Sequence, residues 1–153
     1  MELLLGASLA LSGIVAGIYA SVPIHDRRIA DLSGAQYAAM HQMRDKTFRV
    51  VMPPLTLTTL ALAVSSAGLV LSPGLPCALG AVAALLMVVD IIIVVTRQVP
   101  LNTRIRNWAE DTIPADWTQL RDRWSAQHNL RLLCASVAYA CLLAAALWGT
   151  GIR

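Results

Sequence analysis

The chain has 153 residues, 57% of them hydrophobic and only 14% charged, with a mean hydropathy of +0.62. A water-soluble domain rarely leaves so little polar surface, so the composition points to one integral membrane domain over residues 1–153, with no room for a second. The formal net charge of +3 says little as a sum, and basic residues that flank apolar runs are topology signals rather than a nucleic-acid footprint.

Four apolar runs, residues 3–22, 50–71, 75–96 and 132–152, are each long enough to cross a hydrocarbon core as a helix. They predict an all-α, up-down bundle of four transmembrane helices with cytoplasmic helical extensions. The first run has no basic flank and is longer than a signal-peptide core, so it reads as a retained span. Its Gly13 and Gly17 have the G-x-x-x-G spacing that permits close helix contact, either within the bundle or in a homo-oligomer. Pro23 is expected to end this helix. A helical stretch over 35–48 should run directly into the second span, which Pro53 and Pro54 should kink. Residues 72–76 (Ser-Pro-Gly-Leu-Pro) form an uncharged turn at the far face. After the third span, Val99-Pro100-Leu101-Asn102 reads as a break. Residues 111–114 (Asp-Thr-Ile-Pro) then read as the start of a long helix that becomes the fourth span.

Of the twelve Lys and Arg, eleven lie in the first and third connections, between residues 27 and 49 and between 97 and 131. An up-down bundle puts both on one face. The excess predicts that this face is cytoplasmic, in a bacterial inner membrane, with both termini outside. Cys77, Cys134 and Cys141 lie within or beside the runs without metal-ligand spacing, and read as buried thiols.

Polar residues gather where the fourth span begins. At 100° per residue, Trp117, Arg121, Trp124, His128, Arg131 and Tyr139 fall within an arc of roughly 80°. Trp and Arg anchor at membrane surfaces, but that does not account for His128 and Tyr139, so the stripe is expected to line a site. Asp90 is alone among apolar residues of the third span. A carboxylate there is costly and marks either a functional group or a structural one bonded to a Tyr or Thr. Tyr139, Thr56 and Thr59 lie at similar depth on other spans, with Tyr19 nearer the interface. Together they predict a polar pocket open toward the basic face. His25 reads as a surface residue. His41, with Tyr37 and Arg44 on its helical face, pairs with His128 as an alternative: together they could bind a haem or metal ion, though no H-x-x-H or H-E-x-x-H is present.

Val99-Pro100-Leu101-Asn102, Trp108, and the run Trp117-x-x-x-Arg121-x-Arg123-Trp124-x-x-x-His128-x-x-Arg131 leading into a span resemble the anthrone-oxygenase-like family of small four-helix membrane proteins. Its fungal members oxygenate anthrones to anthraquinones. The resemblance implies Asn102, Arg121, Trp124, His128 and Arg131 as site residues. It also implies an oxygenase acting on a small apolar, anthrone-like aromatic, whose anion can react with O2 without a metal. In that chemistry His128 is the base and Arg121 or Arg131 holds an oxyanion, while Trp124 and Trp108 stack on the substrate. Asp90, Tyr139 and Tyr19 are added from the residues themselves. Two readings stand beside it: a haem- or metal-binding redox protein using His41 and His128, and a non-catalytic small-molecule binder.

Overall fold

A computed structural model describes residues 2–149. The end of the fourth predicted run at Ile152, and Arg153, lie outside the described residues. The chain forms α1 (Glu2–His25), α2 (Gly34–Leu69), α3 (Leu75–Ile93), α4 (Val99–Arg106) and α5 (Trp117–Gly149). Tight 3-10 turns cover Asp26–Asp31 and Glu110–Thr112, and a π-helical turn over Val94–Gln98 joins α3 to α4. There is no strand among the described residues. The architecture is an all-α four-helix bundle in which α5 and α2 each pack between α1 and α3, while α2 and α5 barely touch across the diagonal. All four long helical units are apolar and long enough to cross a membrane.

The packing is that of a protein solvated by lipid. Large apolar side chains such as Ile14, Val64, Leu85, Ile92 and Leu133 point outward, where hydrocarbon accepts them. The helix seams are made of small residues: Ala63, Ala83, Ala138 and Ala145 are fully buried, with Ser8, Ser12 and Ser66. Without a hydrophobic force between helices, close backbone approach supplies the attraction. At Gly80 a Cβ would stand 2.9 Å from Ala67 Cβ and 2.8 Å from Leu71 Cδ1, so α2 and α3 meet there. The turn before α3 relies on Gly74, whose φ of 100° excludes other residues.

The two basic connections share one end of the bundle. Val22 of α1 and Ile29 and Leu32 of the first connection pack with Tyr37, Ile105, Trp108, Trp117 and Trp124. Ser33 caps α2 in a reciprocal pair with Gln36.

Several boundaries differ from the sequence reading. Pro23 does not end α1, which runs on to His25; the Tyr19 carbonyl that the proline leaves without its N–H accepts a hydrogen bond from α5 instead. As expected, the stretch from residue 35 runs directly into the second span, with Pro53 and Pro54 inside α2. Residues 99–102 are not a break: the π turn absorbs the irregularity, with the Val99 N–H bonded to the Val94 carbonyl, and Pro100 sits in the first turn of α4. The last helix begins at Trp117 rather than at 111–114, since Ile113 is extended. Gly13 packs within the chain, where a Cβ would lie 3.3 Å from Tyr139 Cε2, and Gly17 faces open space.

Gly80→Ala is expected to lower the unfolding temperature in detergent, although alanine favours a helix over glycine by about 1 kcal/mol. Overpacking costs about 1–3 kcal/mol and outweighs that gain. Gly17→Ala meets no atom and is expected to be neutral or stabilising. Equal melting of Gly80→Ala and the parent would refute the close α2–α3 contact.

Candidate functional site

A cavity of about 500 Å³ opens within the basic half of the bundle. Its wall includes Tyr19 from α1, His41, Arg44 and Asp45 from α2, and Asp90 from α3. Arg49 and Thr56 of α2, Gln98 of the π turn, Asn102 and Arg106 of α4, and Trp124, His128 and Arg131 of α5 complete the polar lining. Apolar side chains such as Ile18, Met52, Leu57, Ile91 and Val95 make up much of the rest.

Its floor is a buried polar network. Arg131 Nε donates to Asp90 Oδ1 at 2.7 Å. Arg131 Nη1 donates to Gln98 Oε1, and Nη2 to the Tyr19 hydroxyl. The Tyr19 hydroxyl donates in turn to Asp90 Oδ2 at 2.9 Å, and the Arg131 guanidinium lies 4.4 Å from the Tyr19 ring centre. Asp90 is 5% exposed, so it is kept from lipid and paired with groups from other helices. Its partners are Tyr19, a tyrosine from another span as expected, and Arg131, whose long side chain reaches inward from its own turn; Tyr139, at similar depth, is not one of them. The π turn helps build this floor. Eight residues at 100° would leave Gln98 roughly 80° away from Asp90's direction; the wider turn takes back much of that difference.

His128 is oriented by a backbone defect. An ordinary helix would spend the Tyr19 carbonyl on the N–H of residue 23, but residue 23 is proline and has none. His128 Nε2–H donates to that carbonyl at 2.9 Å. A carbonyl only accepts, so the neutral ring carries its proton on Nε2 and its basic lone pair on Nδ1. The ring stacks on Trp124 with centroids 5.1 Å apart and planes 4° from parallel.

Trp124 is fixed as firmly. Its Nε1–H donates to Asn102 Oδ1 at 2.8 Å. The same oxygen accepts from His41 Nε2 at 3.2 Å, and His41 meets the indole edge-on at 5.2 Å. The Arg44 guanidinium lies 4.5 Å from the Trp124 ring centre and is held by both oxygens of Asp26. Arg106 pairs with Asp45 at 2.9 Å. The Nε2 atoms of His41 and His128 are thus both committed, and Trp124 is packed against both rings. A metal held by the two histidines together would have to approach their Nδ1 atoms around that indole. Among the described residues, no group of three or more His, Cys, Asp or Glu side chains is placed to hold a metal ion.

The structure therefore brings together His128, Arg131, Asp90, Asn102, Trp124, Tyr19 and His41. Three sequence-proposed residues lie elsewhere. Arg121 pairs with Asp122 and lines a separate cavity of about 290 Å³ behind Trp124 and His128. Trp108 packs on Tyr37 in the end cluster, and Tyr139 covers Gly13. Arg121 and Tyr139 share one edge of the helical stripe, and it is that edge which turns away from the cavity. Exposed His25 bonds the Ser21 carbonyl. Sequence reasoning gave no role to Gln98, Asp45 or Arg106. Arg44 carried a signal, one turn from His41; Gln98 had none, since nothing in the sequence announced the π turn.

The family model described as "Anthrone oxygenase" matches residues 40–141. No curated protein and no solved structure matches the chain.

Two outcomes test this geometry. Arg131→Met leaves Asp90 buried without its counter-charge and is expected to cost about 3–5 kcal/mol, most of it recovered in the double variant with Asp90→Leu. No recovery would mean that the two do not act as a pair. Pro23→Ala supplies an N–H that competes for the Tyr19 carbonyl. Nitrogen-15 spectra of His128 should then change from one tautomer, protonated on Nε2, to a mixture. An unchanged spectrum would remove the proline from the site.

Proposed function

The chain belongs to the anthrone oxygenase family, and on that premise we propose that it is a membrane-embedded oxygenase of a small apolar aromatic ketone of the anthrone type. The observation that carries the reading is His128: its Nε2–H is spent on the Tyr19 carbonyl, and its remaining basic nitrogen belongs to a ring in the wall of the large cavity. The methylene of an anthrone lies between two aryl rings that conjugate it with the ketone across the central ring, so it is acidic, and its anion is electron-rich enough to be oxidised by O2.

The reaction begins when His128 Nδ1 takes one methylene proton and the ring becomes imidazolium. The charge left behind spreads onto the ketone oxygen. That oxyanion forms beside cationic side chains of the cavity wall. The role was expected of Arg121 or Arg131. Arg121 is turned to the other cavity, and each nitrogen of Arg131 already has a partner. Arg131 therefore acts through its field, while Arg44, over the Trp124 face, is the better placed to contact the oxygen. The carbanion electrons pass to O2 and a carbon–oxygen bond forms, leaving charge on the distal oxygen. A proton returned from imidazolium makes the hydroperoxide. Loss of the second methylene proton with cleavage of the O–O bond yields the new carbonyl and water. The sum is substrate plus O2 giving ketone plus water, with no outside reductant. Trp124, held in the wall by Asn102, seats His128 and Arg44 against its ring, and the apolar side chains Ile18, Met52, Leu57, Ile91 and Val95 receive the ring system.

His128→Gln is the decisive variant. Its amide N–H can still serve the Tyr19 carbonyl, but the side chain is no base. Product formation from an anthrone in nanodiscs should fall by about 10²–10⁴-fold, with the melting temperature of the parent. Turnover at the parent rate would reduce His128 to a structural role and end this reading.

A further inference from the structure

Beyond the large cavity, toward the bundle centre, lies a chamber of about 20 Å³. All four spans contribute to it: Ser12 and Val15 from α1, Thr56 and Thr59 from α2, Met87, Asp90 and Ile91 from α3, and Ala135 from α5. Thr56, Asp90 and Ile91 also line the large cavity, so the two spaces share a wall. The volume exceeds the roughly 10–15 Å³ that one water needs. It suits a single molecule of two or three atoms.

The polar groups around it have little to give a guest. The Ser12 hydroxyl donates to the Ser8 carbonyl at 2.7 Å, Thr56 to Met52 at 2.9 Å, and Thr59 to Leu55 at 2.7 Å. Asp90 is engaged at both oxygens, by Arg131 and by Tyr19. Every hydroxyl proton is therefore directed back to its own helix, so a water there finds acceptors in the hydroxyl and carboxylate oxygens but no donor for its own oxygen. Val15, Met87, Ile91 and Ala135 supply apolar wall from three helices, which a small apolar guest can use. Dioxygen is one. It also dissolves more readily in hydrocarbon than in water, so the bilayer around the spans is its richer source.

We propose that this chamber is the dioxygen subsite, placing O2 beside Asp90 on the bilayer side of the large cavity while the organic substrate lies on the His128 side. The proposal rests on the oxygenase reading above. It gives the two substrates separate places, so that O2 is present when the carbanion forms and its charge is not quenched by a proton from water.

Two filling variants from different helices, Ala135→Val and Ser12→Val, test it in nanodiscs. Both should raise KM for O2 several-fold and leave KM for the anthrone unchanged. A second measurement needs no turnover. With carbon-13 methyl labels, dissolved O2 should relax Val15 and Ala135 in the parent more strongly than the equally buried Ile93 and Ala146. Ser12→Val should remove the excess at both. If the parent oxidises anthrones but shows no such excess, the oxygenase stands and this subsite falls. A rise in KM for the anthrone alone would make the chamber the end of the organic site and overturn the proposal. A parent that oxidises no anthrone would overturn the oxygenase reading and the subsite's role with it, whatever the relaxation shows.

Discussion

A carboxylate and a guanidinium inside a hydrocarbon-solvated bundle cannot remain unpaired, and the site is built around that requirement. Asp90 on α3 and Arg131 on α5 meet at 2.7 Å, and Tyr19 on α1 and Gln98 of the π turn take the hydrogen bonds that the pair leaves over. One network thus ties three of the four spans together at one depth. α2 stands outside it and is held by pairs of its own, Arg44 with Asp26 and Asp45 with Arg106. These bulky charged side chains keep the helices apart at the basic end. Farther along, Ala63, Ala83 and Ala138 let them close. The cavity exists because the same bundle has large polar spacers at one level and small apolar ones at the next.

Two backbone irregularities finish the site. A transmembrane helix ordinarily uses up its own polar groups, which leaves nothing with which to orient a side chain from a neighbour. Pro23 releases the Tyr19 carbonyl, and His128 takes it. The π turn over Val94–Gln98 rotates Gln98 toward Arg131 and carries the helix on to Asn102, which fixes Trp124 and His41. In each case an irregularity in one helix sets the position of a side chain on another. That arrangement leaves the tautomer of His128 decided by covalent structure rather than by a mobile partner.

The overall architecture was legible in the sequence because apolar runs of spanning length and a one-sided distribution of Arg and Lys are strong signals. The His128 neighbourhood was legible as a stripe, and Asp90 as an isolated charge. What was lost came from treating each helix as a regular cylinder. Depth counted at a fixed rise put Tyr139, Thr56 and Thr59 level with Asp90 and Arg131 nearer the surface, whereas a flexible arginine crosses a helical turn by itself. The residues at 99–102 read as a break because Pro100 normally interrupts a helix, yet a π turn just before it absorbs the misfit. Arg121 and Trp108 share a motif with the site residues and still fall outside the cavity, since a short motif fixes sequence spacing and not the rotation of each side chain about its helix.

The electrostatic balance of the cavity bears on which chemistry suits it. Its wall carries Arg44, Arg49, Arg106 and Arg131 against Asp45 and Asp90, four cations to two anions, or two positive charges in excess. Asp26, on the far side of Arg44, offsets one of these, which leaves about one positive charge facing the cavity. A neutral apolar ketone gains little from that charge when it binds. Its anion gains much more, because the interaction is strong where water is sparse. An arrangement of this kind contributes to the step that creates the anion rather than to uptake of the ketone. Were Arg131 unpaired, the excess would be larger but held by a flexible side chain at a high cost of burial. Asp90 lowers that cost and fixes the guanidinium, so the remaining field is weaker and better directed. The carboxylate that first marked this span as unusual is in this sense a condition for the cation beside it, and no proton transfer at Asp90 is needed to account for its place in the site.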